Sequence, residues 1–159
     1  MKPLTVTSAL RARWKNINAK RKAADKPPLN FPLWVKVRNR IAAVPESYNQ
    51  GYWKQKSSVA PCGTQACLAG EALICSERSA KQGLALLWRT RRNTIAGRAS
   101  ALLGLDRNTS EDQIFTSWID GEWPEPFATQ FAEAEPGMEE AKVAVRYLTH
   151  VIRTGQVVE

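Results

Sequence analysis

Pro61-Cys62-Gly63-Thr64-Gln65-Ala66-Cys67-Leu68-Ala69-Gly70 reads as a turn feeding the start of a helix. Pro61 and Gly63 punctuate the backbone, and Gly63 can take a positive φ that other residues resist. Thr64 is the predicted N-cap, its hydroxyl accepting from the free N–H of Ala66 or Cys67. Downstream, Ala66, Ala69, Gly70 and Ala72 are small while Leu68, Leu73 and Ile74 are large. A helix apolar on most sides with that many small positions is expected to be buried, with another backbone close against it. Glu71 is the polar exception. It reads as facing solvent or reaching a basic neighbour, with a buried, paired carboxylate that has a role as the alternative.

Working outward, apolar residues recur at helical spacing almost throughout. Residues 7–24 form a predicted helix, capped by Thr7 or Ser8, with Leu10, Trp14 and Ile17 as a narrow apolar stripe. Asp25-Lys26-Pro27-Pro28 ends it and reads as a linker. Asn30 caps a second helix that buries Leu33, Trp34, Val37, Ile41 and Val44 and stops at Pro45. Residues 46–61 read as an irregular loop. Its aromatics Tyr48, Tyr52 and Trp53, beside Lys54 and Lys56, either pin the loop to the core or offer a stacking surface for bases. Ser79 caps a helix to about Arg89, and Asn93 or Thr94 starts another ending at Gly104. Thr109-x-x-Asp112 resembles a capping box ahead of Ile114, Phe115 and Trp118. Asp120-Gly121 turns the chain, and Pro124 begins a short helix with Phe127 and Phe131 stacked at i, i+4. Pro136 opens the last helix, with Ala141, Ala144, Val145, Leu148, Val151 and Ile152 inward and Gly155 at its end. Only Gln156-Val157-Val158 suggests a brief strand. The expectation is an all-α domain of six or seven short helices over residues 29–159, preceded by a basic amphipathic arm and Pro linker over residues 1–28.

The net charge of +8 conceals a polarity. Residues 1–40 hold eleven Lys and Arg against one acidic residue, residues 41–105 eight against three, and residues 106–159 four against eleven. Arg11, Arg13, Lys15, Lys20, Arg21 and Lys22 crowd the first helix, and Arg89, Arg91 and Arg92 form a second cluster. Such a front end points to an acidic partner, nucleic acid or an acidic protein surface. The alternatives are a solvated arm, or two ends of the chain that neutralise each other within one fold or between copies, which would make a homo-oligomer. No apolar run is long enough to span a membrane, and Met1-Lys2-Pro3-Leu4-Thr5 lacks an apolar signal core. Three cysteines without a disulfide framework favour a reducing cytoplasm.

Catalytic readings are weaker. Cys67 in the first turn of its helix would favour a thiolate, and His150 is the only histidine available as a base. The helical wheel, however, sets His150 beside Arg146 and Arg153, away from the core. Cys62 and Cys67 lack the other half of a zinc site, and Cys75 lies about 12 Å further along the same helix at 1.5 Å per residue. No phosphate loop or metalloprotease histidine pair occurs. Asp120, Glu122 and Glu125 read as a solvated acidic turn. Neither a cofactor nor a metal is implied, and the chain reads as a binding protein more readily than as an enzyme. A cysteine-dependent enzyme or redox switch at Cys62 and Cys67 is the competing class, and a self-associating structural module the third.

Cys62-Gly63-Thr64-x-x-Cys67-x-Ala69-Gly70 also resembles the signature of a family of small bacterial and phage proteins. Ile41-x-x-x-Pro45 with Gly51-Tyr52-Trp53, then Ala101-Leu102-Leu103-Gly104-Leu105, are similar to family elements in the same order. So are Ile114-Phe115 with Trp123-Pro124-x-Pro126-Phe127, and the closing His150-Val151-Ile152-x-Thr154-Gly155. The resemblance covers roughly residues 30 to 157. The chain departs from it at Glu71, where an aromatic residue or His is expected, and in its long basic N-terminus. The family brings no catalytic residues with it. What it implies is a phage or mobile-element setting and no activity. Together with the basic front end, the leading expectation is an accessory protein that engages an acidic surface, nucleic acid or a nucleoprotein complex of its host, with inhibition of a host defence system added by analogy with small phage proteins.

Overall fold

A computed structural model describes residues 1–106, 111–115 and 123–158. The architecture is all-α. Seven α-helices are present among the described residues, with one small two-stranded ribbon. Helix α1 spans Ser8–Ala23, with the Thr7 hydroxyl accepting from the Leu10 N–H at 3.2 Å. Helix α2 spans Phe31–Ala43 and is capped by Asn30. Strands β1 (Gln55–Lys56) and β2 (Thr64–Gln65) pair antiparallel. Helices α3 (Leu68–Ser76), α4 (Ala80–Arg89) and α5 (Arg92–Leu103) follow, then α6 (Phe127–Ala132) and α7 (Met138–Thr154). Single turns of 3-10 helix lie at Pro45–Ser47 and Glu111–Phe115.

Two layers share one core. Helix α7 lies against α2, with α1 and α6 also on it, and α3 is enclosed by α2, α4 and α5. The enclosure of α3 follows from its composition. Leu68 through Ile74 are all buried, so every side of the helix needs a neighbour. The small residues set how close the neighbours come. A Cβ added at Gly70 would stand 2.6 Å from the Trp53 carbonyl oxygen and 2.6 Å from the Ala66 Cβ. Because one obstacle is backbone, it cannot swing aside. Alanine gains about 1 kcal/mol over glycine in an open helix, whereas overpacking costs about 1–3 kcal/mol. Gly70→Ala is therefore expected to lower stability in urea unfolding; a stabilised variant would show that the loop yields.

Several local expectations are corrected. Thr64 is not the cap of the motif helix. Residues 64–65 pair with 55–56, and the helix begins only at Leu68, with Cys67 at the N-cap position. The two-residue ladder is too short for alternation to reveal it. Phe127 and Phe131 turn to other rings: Phe131 to Trp123 at 5.0 Å, Phe127 to Tyr147 at 5.7 Å. Residues 156–158 form no strand; Val157 is buried and its carbonyl accepts from the Tyr147 hydroxyl at 2.9 Å. The predicted capping box at Thr109, Trp118, the turn at Asp120–Gly121, and Glu122 lie outside the described residues.

The largest difference concerns the N-terminus. Helix α1 is part of the core and not a separate arm. Trp14 stacks on Phe31 with 5.1 Å between ring centroids, and its indole N–H donates to the Ile152 carbonyl at 2.8 Å. Asn18 clasps the Leu29 backbone through both its amide oxygen and its amide nitrogen. The Pro27–Pro28 segment is held too, because Arg21 Nε donates to the Pro27 carbonyl at 2.8 Å. A stripe of three apolar residues looks narrow in sequence; one of the three is a tryptophan that reaches both α2 and α7.

Candidate binding surface

The six cations of α1 have three different placements. Arg21 faces inward, 8% exposed, and makes a two-pronged contact with Glu111 at 2.8 Å and 2.8 Å. It is a structural residue, which corrects its assignment to a binding surface. Glu111 also accepts from the Asp106 N–H at 2.8 Å and from Lys26 at 3.2 Å. Burial pushes the Glu111 carboxyl up, but the hydrogen bonds from Arg21 and Asp106, the Arg21 charge and Lys26 hold it below its usual range. Arg13 is exposed on another flank, near the Arg153 carbonyl at 3.4 Å. Lys20, two turns on from Arg13, is exposed as well.

Arg11, Lys15 and Lys22 share the remaining flank of α1. All three are exposed, and among the described residues none makes an ion pair. They edge an apolar groove of about 880 Å³ that runs between α1 and the start of α2. Trp14, Leu29, Phe31 and Val35 line its floor, and among the described residues no acidic one lines it. Lys26 completes the rim. The spacing of Arg11, Lys15 and Lys22 at i, i+4, i+11 could have singled them out from the sequence as one face. Lys26 and the α2 side of the floor could not be found that way, because they lie beyond α1 and reach the groove through tertiary contacts: Phe31 stacked on Trp14, Leu29 held by Asn18, and the Lys26 N–H on the Arg21 carbonyl at 2.9 Å.

The second basic cluster is elsewhere. Arg89, Arg91 and Arg92 are exposed where α4 gives way to α5, and none lines the groove. Lys54, near that cluster, is not a free cation. Its ammonium donates to the carbonyls of Leu87, Trp88 and Thr90 at 2.9, 3.0 and 2.6 Å, closing the C-terminal end of α4. Burial, with Arg92 nearby, lowers its pKa. Of the loop aromatics, Tyr48 is buried and Trp53 half-buried, while Tyr52 is exposed. The loop is pinned, and only Tyr52 is open for stacking.

The cysteine motif is built into the core. Gly63 takes a φ of 68°, as its turn position requires. The Thr64 hydroxyl accepts from the Trp88 indole N–H at 3.2 Å. Cys62 is half-buried, with Arg40 Nη2 at 3.7 Å and the Thr64 carbonyl at 3.3 Å. All three cysteines are free thiols. Burial pushes the Cys67 thiol up to about 11, although the N–H groups of Gly70 and Ala69 favour the thiolate. Cys75 is pushed up to about 12, first by burial and then by Glu71. Desolvation therefore outweighs the helix N-terminus, and Cys67 is held as the neutral thiol. His150 rests half-buried on α7 with its ring 5.4 Å from Phe127.

Glu71 is fully buried and reaches a basic neighbour, so it is a paired carboxylate and does not face solvent. Its carboxylate takes Arg40 Nε at 2.6 Å and the Ser47 hydroxyl at 3.2 Å, joining α3 to α2 and to the loop. Burial raises its pKa above the usual carboxylate range, with Arg40 and Ser47 offsetting part of the rise. No described helix is long and apolar enough to cross a membrane. No family model, curated protein or solved structure matches the chain.

Proposed function

We propose that this protein is a non-catalytic binding protein that engages an extended anionic partner through the groove flank of α1. The observation that carries the reading is the alignment of Arg11, Lys15 and Lys22 along a groove, with neither an ion-pair partner for them nor an acidic lining residue among the described residues. Cations that make no ion pair among the described residues and share one face favour an external anion. The thiol reading is disfavoured by the protonated, buried state of Cys67. The resemblance suggests a bacterial or phage setting, and the three cysteines without a disulfide framework suggest the host cytoplasm. The charge suggests an acidic surface, nucleic acid or a nucleoprotein complex as partner, with host defence complexes added by analogy alone.

The test compares two variants of equal charge. One carries Arg11→Ala, Lys15→Ala and Lys22→Ala; the other carries Arg89→Ala, Arg91→Ala and Arg92→Ala. Binding to a mixed-sequence duplex, a single-stranded RNA and polyglutamate is measured across salt concentrations. Wild type is expected to bind at low salt. For a duplex, each lost phosphate contact lowers the slope of log affinity against log salt by about 0.9. The α1 variant should lose close to three such contacts, and the second variant should stay near wild type. Equal losses in both variants, or no binding of any polyanion by wild type, would overturn the reading.

A further inference from the structure

We infer that the groove between α1 and α2 receives an acidic amphipathic helix of a partner protein, an inference that rests on the anionic-partner reading and names the partner's chemistry. Arg11 and Lys22 stand eleven residues apart on one helix, so the rim cations spread over about 16 Å at 1.5 Å per residue. A single anionic headgroup cannot reach them all. The ligand therefore carries its negative charges along its length, as a nucleic acid or an acidic polypeptide does.

The floor separates these two. Leu29, Phe31 and Val35 are buried side chains whose groove-facing atoms are apolar, and Trp14 is 8% exposed with one ring face already stacked on Phe31. Base stacking needs an open aromatic face, which this floor does not offer. A phosphate backbone contributes nothing that gains from apolar contact. Asn18, the amide at the groove wall, is engaged with Leu29 at both of its polar atoms, so base edges find no free partner there. An amphipathic helix meets both demands: its apolar stripe fills the floor while glutamates on its flanks meet Arg11, Lys15 and Lys22. About three turns of helix match the length of the rim. This is groove recognition of a helix, with cations selecting the acidic flanks.

The probe is a fluorescently labelled peptide of about 14 residues, with leucines at i, i+3, i+4 and i+7 and glutamates on both flanks. A scrambled peptide of the same composition lacks the apolar face. Ala19→Glu introduces a carboxylate at an exposed groove-lining position of α1 without removing a core contact, and circular dichroism confirms its fold. At near-physiological salt the amphipathic peptide is expected to bind at least about tenfold more tightly than the scrambled one. The same margin, worth about 1.4 kcal/mol, is expected to be lost in Ala19→Glu and in the α1 triple variant. Equal binding of the two peptides overturns the inference while leaving polyanion binding, and hence the broader reading, in place. Displacement of the peptide by a duplex whose own binding is equally sensitive to Ala19→Glu makes nucleic acid the occupant and also overturns it. So does groove-dependent dimerisation of the protein alone, seen in sedimentation and abolished by Ala19→Glu. If neither peptide nor any polyanion binds, the anionic-partner reading itself falls.

Discussion

Deletion of residues 1–26 is expected to leave a chain that does not fold stably, although these residues read in sequence as a detachable basic arm. Two losses add. Removing Trp14 strips the cover from Phe31 and empties part of the core, a change of the size of a buried Trp→Ala, about 3–5 kcal/mol. Removing Arg21 leaves Glu111 in the interior with Lys26 as its one remaining cation among the described residues, and the deletion takes Lys26 as well. Breaking a buried pair from one side costs about 3–5 kcal/mol. The combined loss is comparable with the whole stability of a typical domain, about 5–15 kcal/mol. Trp14→Ala and Arg21→Ala, each alone, should be folded but destabilised. A truncated chain that melts cooperatively near the wild-type temperature would refute the integration of α1.

The Arg21–Glu111 contact also has a pH signature. The Glu111 carboxyl sits below its ordinary value of 4.5 in the folded state. Its contribution is therefore complete above about 4.5 and is lost as pH falls through the lower folded-state pKa. The stability deficit of Arg21→Ala is expected to shrink as the solution is acidified through that window.

Arg40→Ala is expected to cost about 3–5 kcal/mol, because among the described residues it leaves the fully buried Glu71 carboxylate with the Ser47 hydroxyl as its one remaining side-chain partner. The paired replacement Arg40→Met with Glu71→Leu should recover much of that loss, since a buried pair exchanged for apolar groups of similar volume is often near neutral. Urea unfolding of both single variants and the double variant gives the coupling. Here the pH dependence has the opposite sign to that of Glu111. The folded-state pKa of Glu71 is raised, so the folded protein holds that proton more tightly than the unfolded chain does. Stability from the protonated form is lost as pH rises from the ordinary 4.5 through the higher folded-state pKa. Without Arg40 the carboxyl rises further, and the deficit of Arg40→Ala should be smaller at mildly acidic pH than at pH above neutral. A single substitution that costs less than about 1 kcal/mol would mean that Glu71 finds water or another cation.

The helices were legible in the sequence because their signals are local. Thr7, Asn30 and Ser79 each cap the helix predicted behind them, and Gly104 and Gly155 each close one in the left-handed conformation. The stripe of the last helix needs only the 3.6-residue period, and all six of its predicted positions are buried. The burial of the motif helix followed from its composition, for the same reason. What remained hidden depends on residues far apart in the chain. The role of Arg21 was decided by Glu111, ninety residues away, and that of Glu71 by Arg40 on another helix. In sequence, a cation bound inside the fold and a cation left at its surface are the same letter. The state of Cys67 was decided by how completely the surrounding helices exclude water, a quantity that no spacing records. The groove belongs wholly to tertiary structure. Three of its rim cations lie on one helix, but its floor needs the contacts that set α2 beside α1, Trp14 stacked on Phe31 and Asn18 clasping Leu29, with an apolar trough between the two helices.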